Sequence, residues 1–95
     1  MISQNLVTIN GGRSKLKIKI KLKTVKDAGL FVAKCGEYPV EVDFICGRYT
    51  VDAKSLMGVL GVGLGRECEV EIHSCYEDNL KRFKEDMELW KVEDE

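Results

Sequence analysis

Among side chains that do acid–base, metal or nucleophilic chemistry near neutral pH, this 95-residue chain holds one histidine, His73, and four cysteines, at positions 35, 46, 68 and 75. A lone imidazole can carry a proton or a phosphoryl group, or act as one metal ligand among several. The cysteines stand 11, 22 and 7 residues apart with no Cys-x-x-Cys pair, so the spacing supports neither a zinc finger nor a thioredoxin-like redox centre. A hydroxyl is the third candidate. Ser55 lies in the apolar, glycine-rich stretch Lys54-Ser55-Leu56-Met57-Gly58-Val59-Leu60-Gly61-Val62-Gly63-Leu64-Gly65. That stretch lacks the Gly-x-x-x-x-Gly-Lys-Ser/Thr order of a nucleotide loop, and its glycines follow the helix start instead of preceding it. What it offers is a serine at a helix N-terminus, where free backbone N–H groups and the helix dipole favour a phosphate on the hydroxyl.

The elements that must position these groups follow from periodicity. Leu16, Ile18, Ile20 and Leu22 alternate with Lys15, Lys17, Lys19 and Lys21, the period of a strand with one buried face and one wet face. From Val25 to Cys35 the apolar residues Ala28, Leu30, Phe31, Val32 and Ala33 predict a buried helix, with Thr24 as N-cap, Asp27 in its first turn and Gly36 as a left-handed stop. Val40, Val42, Phe44 and Cys46 predict a second strand, Cys46-Gly47-Arg48 a turn, and Tyr49 to Val51 a third. Ser55 then caps a helix of about two turns that frays into the glycines. Cys68, Val70, Ile72 and Ser74 alternate with Glu67, Glu69, Glu71 and His73 in a fourth strand. Leu80, Phe83, Met87 and Trp90 recur at helical spacing from Asn79, giving a C-terminal amphipathic helix with an acidic outer face and tail. The order is β-α-β-β-α-β-α, an α+β class. Residues 1–14 form an extension that either frays or adds a short hairpin, leaving one domain over 15–95.

The net charge of −1 conceals an asymmetry. Residues 1–40 hold 8 Lys+Arg and 2 Asp+Glu, or +6; residues 41–95 hold 7 and 14, or −7. The strand phases place most of this charge as a lysine row on strand one and a glutamate row on strand four, and pairing these strands would set opposite charges across from each other. If strand one is a sheet edge, its lysines also discourage association. The basic row has no interleaved aromatics and no nucleic-acid signature, which argues against a nucleic-acid partner. No stretch approaches the roughly 20 apolar residues of a membrane span, and Met1 to Lys15 lacks the order of a secretory signal; the expectation is a cytoplasmic protein. His73 falls on the wet face of strand four, as an exposed sheet-face histidine. The cysteines are expected to pack as free thiols, Cys46 and Cys68 in the buried phase, with disulfides disfavoured by a reducing compartment.

Asp52-Ala53-Lys54-Ser55-Leu56-Met57-Gly58-Val59-Leu60 resembles the regulatory-serine motif of HPr, the histidine-containing phosphocarrier of the bacterial phosphoenolpyruvate-dependent sugar phosphotransferase system. The element order is also similar to that family's, and the resemblance runs from about Lys15 to Trp90. It implies an open-faced β-sandwich: a four-stranded antiparallel sheet in order 1-4-2-3 with three helices on one face. The family's phosphoryl-carrying histidine stands just before the first helix in a Gly-x-His-x-Arg-Pro-Ala pattern, whereas this chain reads Leu22-Lys23-Thr24-Val25-Lys26-Asp27-Ala28. Aligned back from Phe31, Thr24 takes the histidine's place, Lys26 the arginine's and Asp27 the proline's; a one-residue deletion would put Lys23 there instead. A threonine phosphate ester is too stable for a carrier, and a lysine is protonated at cytoplasmic pH. The resemblance therefore implies a non-enzymatic, cofactor-free and metal-free monomer. Ser55 would be its phosphorylation site, and Leu56, Met57, Val59, Leu60 and Lys26 its contact with a serine kinase, a transcriptional regulator or phosphotransferase components. Two other readings stand beside it: a phosphocarrier with a non-standard acceptor, and a metal or redox module built on the cysteines and His73.

Overall fold

The computed structural model describes residues 6–10 and 13–92. One antiparallel sheet organises them. Its strands are β1 (Leu6–Asn10), β2 (Arg13–Lys21), β3 (Glu41–Cys46), β4 (Tyr49–Asp52) and β5 (Glu67–Ser74), in the order β1-β2-β5-β3-β4. Strands β2 to β5 reproduce the expected 1-4-2-3 order, and β1 adds a fifth strand outside β2. The hairpin alternative therefore describes residues 6–10 and 13–14, while residues 1–5, 11 and 12 lie outside the described residues. Strand β2 is accordingly no edge over its first half. Pairing β2 with β5 sets Lys15 opposite His73, Lys17 opposite Glu71, Lys19 opposite Glu69 and Lys21 opposite Glu67. The backbone register thus places the two charge rows face to face.

Because side chains alternate along a strand, the same register gathers Leu16, Ile18, Ile20, Val42, Phe44, Cys68, Val70 and Ile72 on the other face. Helices α1 (Val25–Cys35), α2 (Leu56–Gly63) and α3 (Glu77–Asp86) cover it, the last running into a 3₁₀ turn, Met87–Leu89. Phe31 of α1 anchors this core: it is fully buried, with its ring 5.4 Å from that of Phe44 and 5.8 Å, edge-on, from that of Trp90. Burying a side chain of this size is worth about 1.5–3 kcal/mol. Helix α1 differs from expectation in two ways. Only Ala28, Phe31 and Cys35 of this helix are buried while Leu30 is half exposed, because a helix against a sheet shows it one stripe only. Gly36 closes the helix in a right-handed conformation, with its N–H donating to Val32. The third helix starts at Glu77, two residues before the expected Asn79, because the buried Ser74 hydroxyl accepts from the Tyr76 N–H and the Asn79 amide and so shapes the entry. The acidic tail at 93–95 lies outside the described residues.

The cysteine expectation needs correction. Cys46 and Cys68 are joined in a disulfide with Cα atoms 4.7 Å apart. They stand opposite each other one step beyond the Ile45–Glu69 pair of β3 and β5, inside the Cα separation of about 4.4–6.8 Å that a disulfide needs. Shared phase was visible in the sequence; the register that makes the two residues direct neighbours was not. Helix α2 lies on this end of the sheet through Gly63, where an added Cβ would stand 2.3 Å from the Phe44 ring and 2.6 Å from the Cys46 sulfur. Only a glycine lets the helix approach so closely.

Burial pushes the Cys35 thiol up to about 12, with Asp52 and Asp86 reinforcing the shift and Lys54 opposing it. Tyr38 is raised too, by burial and by the hydrogen bond it donates to Asp86 at 2.5 Å. Two measurements check these features. In denaturant without reductant, thiol titration should find Cys35 and Cys75 alone, rising to all four after reduction, and reduction should cost about 3 kcal/mol of stability for a closed loop of this length. The native state keeps protons on Cys35 and Tyr38 that the unfolded chain loses. The contribution of Cys35 is therefore full below about pH 9, the ordinary thiol value, and falls as the pH rises toward about 12, while that of Tyr38 is full below its ordinary value of about 10 and falls above it. Urea midpoints across that range should decline, and less steeply in Cys35→Ala.

Candidate functional site

Two helix N-termini and one patch of sheet hold the residues singled out by the sequence. At the first, β2 ends at Lys21 and the chain passes through exposed Lys23 and Thr24 into α1. Thr24 has extended backbone angles, its hydroxyl accepts from the Asp27 N–H at 3.0 Å, and its own N–H donates to the Asp27 carboxylate at 3.3 Å. This reciprocal capping box satisfies two N–H groups that a helix start leaves open. The Thr24 hydroxyl is thereby occupied as a cap. Beside it opens a cleft of about 400 Å³ lined by Lys21, Lys23, Asp27, Leu89, Trp90, Lys91 and Val92. Its far wall was not foreseen: the Lys21 N–H donates to the Trp90 carbonyl and the Val92 N–H to the Lys19 carbonyl, so the segment after the 3₁₀ turn continues the sheet edge beside β2. Three lysines around a cleft at a helix N-terminus suit an anionic group.

The second N-terminus is that of α2. Ser55 is extended, half-buried, and its hydroxyl accepts from the Gly58 N–H at 3.2 Å. The tight turn before it is held by Asp52, whose carboxylate accepts from the Lys54 N–H and whose carbonyl accepts from the Ser55 N–H. The Lys54 ammonium is drawn inward to the Tyr38 carbonyl at 2.7 Å, away from the serine. Helix α2 itself carries no charged side chain. Of its apolar residues, Met57 is 83% exposed and Leu56 is 41% exposed, and Leu60 is partly buried. Val59 is fully buried, which removes it from the expected contact surface: it points into the core and anchors the helix. Lys26 is exposed on the first turn of α1.

His73 is distant from the first of these N-termini. It lies on the helix-free face of β5, opposite Lys15, while α1 begins beyond Lys21. Six residues along a strand is about 20 Å. Nor is it the exposed histidine expected: its side chain retains only 13% exposure and meets Asp43 at 2.9 Å and Glu71 at 3.7 Å. The signal that could have found this contact is the shared wet phase of Asp43 and His73 on strands that the expected order makes neighbours. The cysteines do not converge on it; Cys35 and the disulfide are buried, and Cys75 is exposed beyond the end of β5.

Comparison with known proteins agrees with this geometry. Residues 15–85 match the family model described as "PTS HPr component phosphorylation site". A solved structure, described as the crystal structure of HPr-C-His from Thermoanaerobacter tengcongensis, is similar with a TM-score of 0.59 and 25% identity, over 78% of this chain and 90% of that one. No curated protein matches.

Replacing Ser55 by alanine removes the hydroxyl that caps α2 and should cost about 1 kcal/mol, read as a lower urea midpoint at unchanged slope. Ser55→Asp, which keeps a cap acceptor and adds a negative charge at the dipole's positive end, should recover most of that loss.

Proposed function

Because the chain belongs to the HPr family of phosphotransferase-system phosphocarriers, whose members are carriers and not catalysts, we propose that it is a regulatory member acting through the Ser55 helix, carried by a domain over residues 15–95. One observation carries this reading. The N-terminus of α1 presents no imidazole: Thr24 stands there with its hydroxyl engaged by Asp27, and the single histidine lies on the opposite face of the sheet. The N-terminus of α2, by contrast, presents a serine whose phosphate would meet the free N–H groups of the first turn in a helix without a charge of its own. Close beside it, Leu56 and Met57 expose apolar surface of the kind a protein partner covers. Lys26 adds a positive charge on α1, which packs against α2. The partners are accordingly proteins: a serine kinase that modifies Ser55, and a transcriptional regulator or phosphotransferase component that binds the result. No helix among the described residues is long and apolar enough to cross a membrane, and the reading places the protein in the cytoplasm with its partners.

A second reading has its own observation, the lysine-lined cleft next to Thr24. In that reading the protein receives phosphoryl groups at a residue other than the family histidine.

Paired phosphorylation assays separate the two. With an HPr-type serine kinase and ATP, phosphate should appear on Ser55 and vanish in Ser55→Ala. With phosphoenolpyruvate and enzyme I, mass spectrometry under alkaline conditions that preserve phosphohistidine should find the chain unmodified. Phosphate on Thr24, Lys23 or His73 in the second assay would establish the carrier reading, and absence of phosphate in the first would remove the regulatory one.

A further inference from the structure

The helix-free face of the sheet is expected to be a solvated row of opposite charges, yet its centre departs from that pattern. Register sets Asp43 of β3 directly opposite Glu71 of β5, and His73 diagonally beside Asp43. Like charges directly opposite on adjacent strands are destabilising unless a positive group sits between them. The neighbouring charges do not remove the excess. Lys15, Lys17, Lys19 and Lys21 on β2 face His73, Glu71, Glu69 and Glu67, while Glu41 and Asp43 on β3 and Asp52 on β4 share the face, four lysines against six carboxylates on these strands. The imidazole alone does not resolve the conflict either, because Nε2 has one hydrogen to donate and two carboxylates within reach, Asp43 at 2.9 Å and Glu71 at 3.7 Å.

We propose that Asp43, Glu71 and His73 form a binding site for a divalent first-row transition cation on the helix-free face of the sheet. One donor atom from each residue lies within 4.8 Å of the other two, and all three residues are half-buried. Donors at the corners of a tetrahedron with bonds of about 2.1 Å stand about 3.4 Å apart, close to the two separations that His73 makes. The cation takes the Nε2 lone pair of the tautomer that carries its hydrogen on Nδ1, the proton now directed at Asp43 having passed through solvent to that nitrogen, and its charge offsets both carboxylates. One imidazole nitrogen with two carboxylate oxygens is a borderline-to-hard donor set, suited to zinc, cobalt or manganese and unsuited to copper(I). Three protein ligands leave a fourth position for water or a partner's side chain. The site rests on two central strands, whose positions are held by the sheet and not by a loop. It is independent of the Ser55 reading, since it shares no residue or face with α2.

The test uses the full chain with Cys75→Ser, so that the exposed thiol cannot supply the metal ligand. Native mass spectrometry with zinc chloride should show one retained zinc ion. Added zinc should raise the thermal midpoint and shift the ¹⁵N resonance of His73 Nε2. His73→Gln, Asp43→Asn and Glu71→Gln, each checked for folding by circular dichroism, should each weaken zinc binding by more than the roughly 10–100-fold that loss of an outer-sphere partner costs. Cobalt added in place of zinc should give a spectrum without a thiolate charge-transfer band. Zinc affinity that is unchanged in His73→Gln, or a His73 ¹⁵N resonance that zinc does not move, would overturn the proposal.

Discussion

Everything in this molecule hangs on the antiparallel pairing of β2 with β5. Eight consecutive residue pairs, from Ser14–Ser74 to Lys21–Glu67, fix two strands that are far apart in sequence. Because side chains on a strand alternate, that one register decides both faces at once: Leu16, Ile18 and Ile20 join Ile72, Val70 and Cys68 toward the helices, and the lysines meet the acidic row on the other side. A slip of one residue would invert both faces, burying the lysine row and exposing the isoleucines. The charge complementarity and the hydrophobic pattern therefore enforce the same alignment, each making the other's alternatives costly.

From that pairing the rest is delivered in place. The end of β2 sets where α1 starts, and so sets the capping box of Thr24 and the cleft beside it. The Leu22 carbonyl accepts from the Gly65 N–H, tying the exit of α2 to the entry of α1, and Gly65 has the positive φ that the turn requires. The segment from Trp90 to Val92 closes onto the same strand. Farther along the sheet, β5 also orders β3, bringing Cys46 against Cys68 and Asp43 against Glu71 and His73. Helix α2, with Gly63 pressed on Phe44 and Cys46, is fitted to that end of the sheet with no room for a methyl group. The half-buried serine cap thus belongs to a helix that makes one of the tightest contacts in the fold.

Helix N-termini are natural receivers of anionic groups, and the two that hold the singled-out residues, those of α1 and α2, are equipped differently. That of α1 is closed by a reciprocal capping box; that of α2 carries a serine cap on an uncharged helix, with Asp52 and Lys54 in the turn before it. Carrying phosphoryl groups requires an acceptor that forms a labile bond, which a capped threonine does not supply. Regulation by serine phosphorylation requires only an accessible hydroxyl where added negative charge is stabilised. In the regulatory role proposed above, the helix dipole of α2 would stabilise the added charge.

How much of this was legible follows the range of the forces involved. Alternation along the chain identified four strands, spacing and caps located three helices, and the motif around Ser55 pointed to the family, because these are properties of neighbours in sequence. The absence of a histidine before α1 needed only the letters. What the sequence could not supply was register. The disulfide, the half-buried state of His73 between two carboxylates, and the return of Trp90 to Val92 onto β2 all depend on which residue of one strand faces which of another, and the burial of Val59 on how α2 docks against the sheet. That choice is made by packing of the whole core, with Phe31, Phe44 and Trp90 at its centre. Local composition determined which residues line up on a face; only the tertiary structure decided which of them meet, because contact between distant strands is set by the joint fit of all of them.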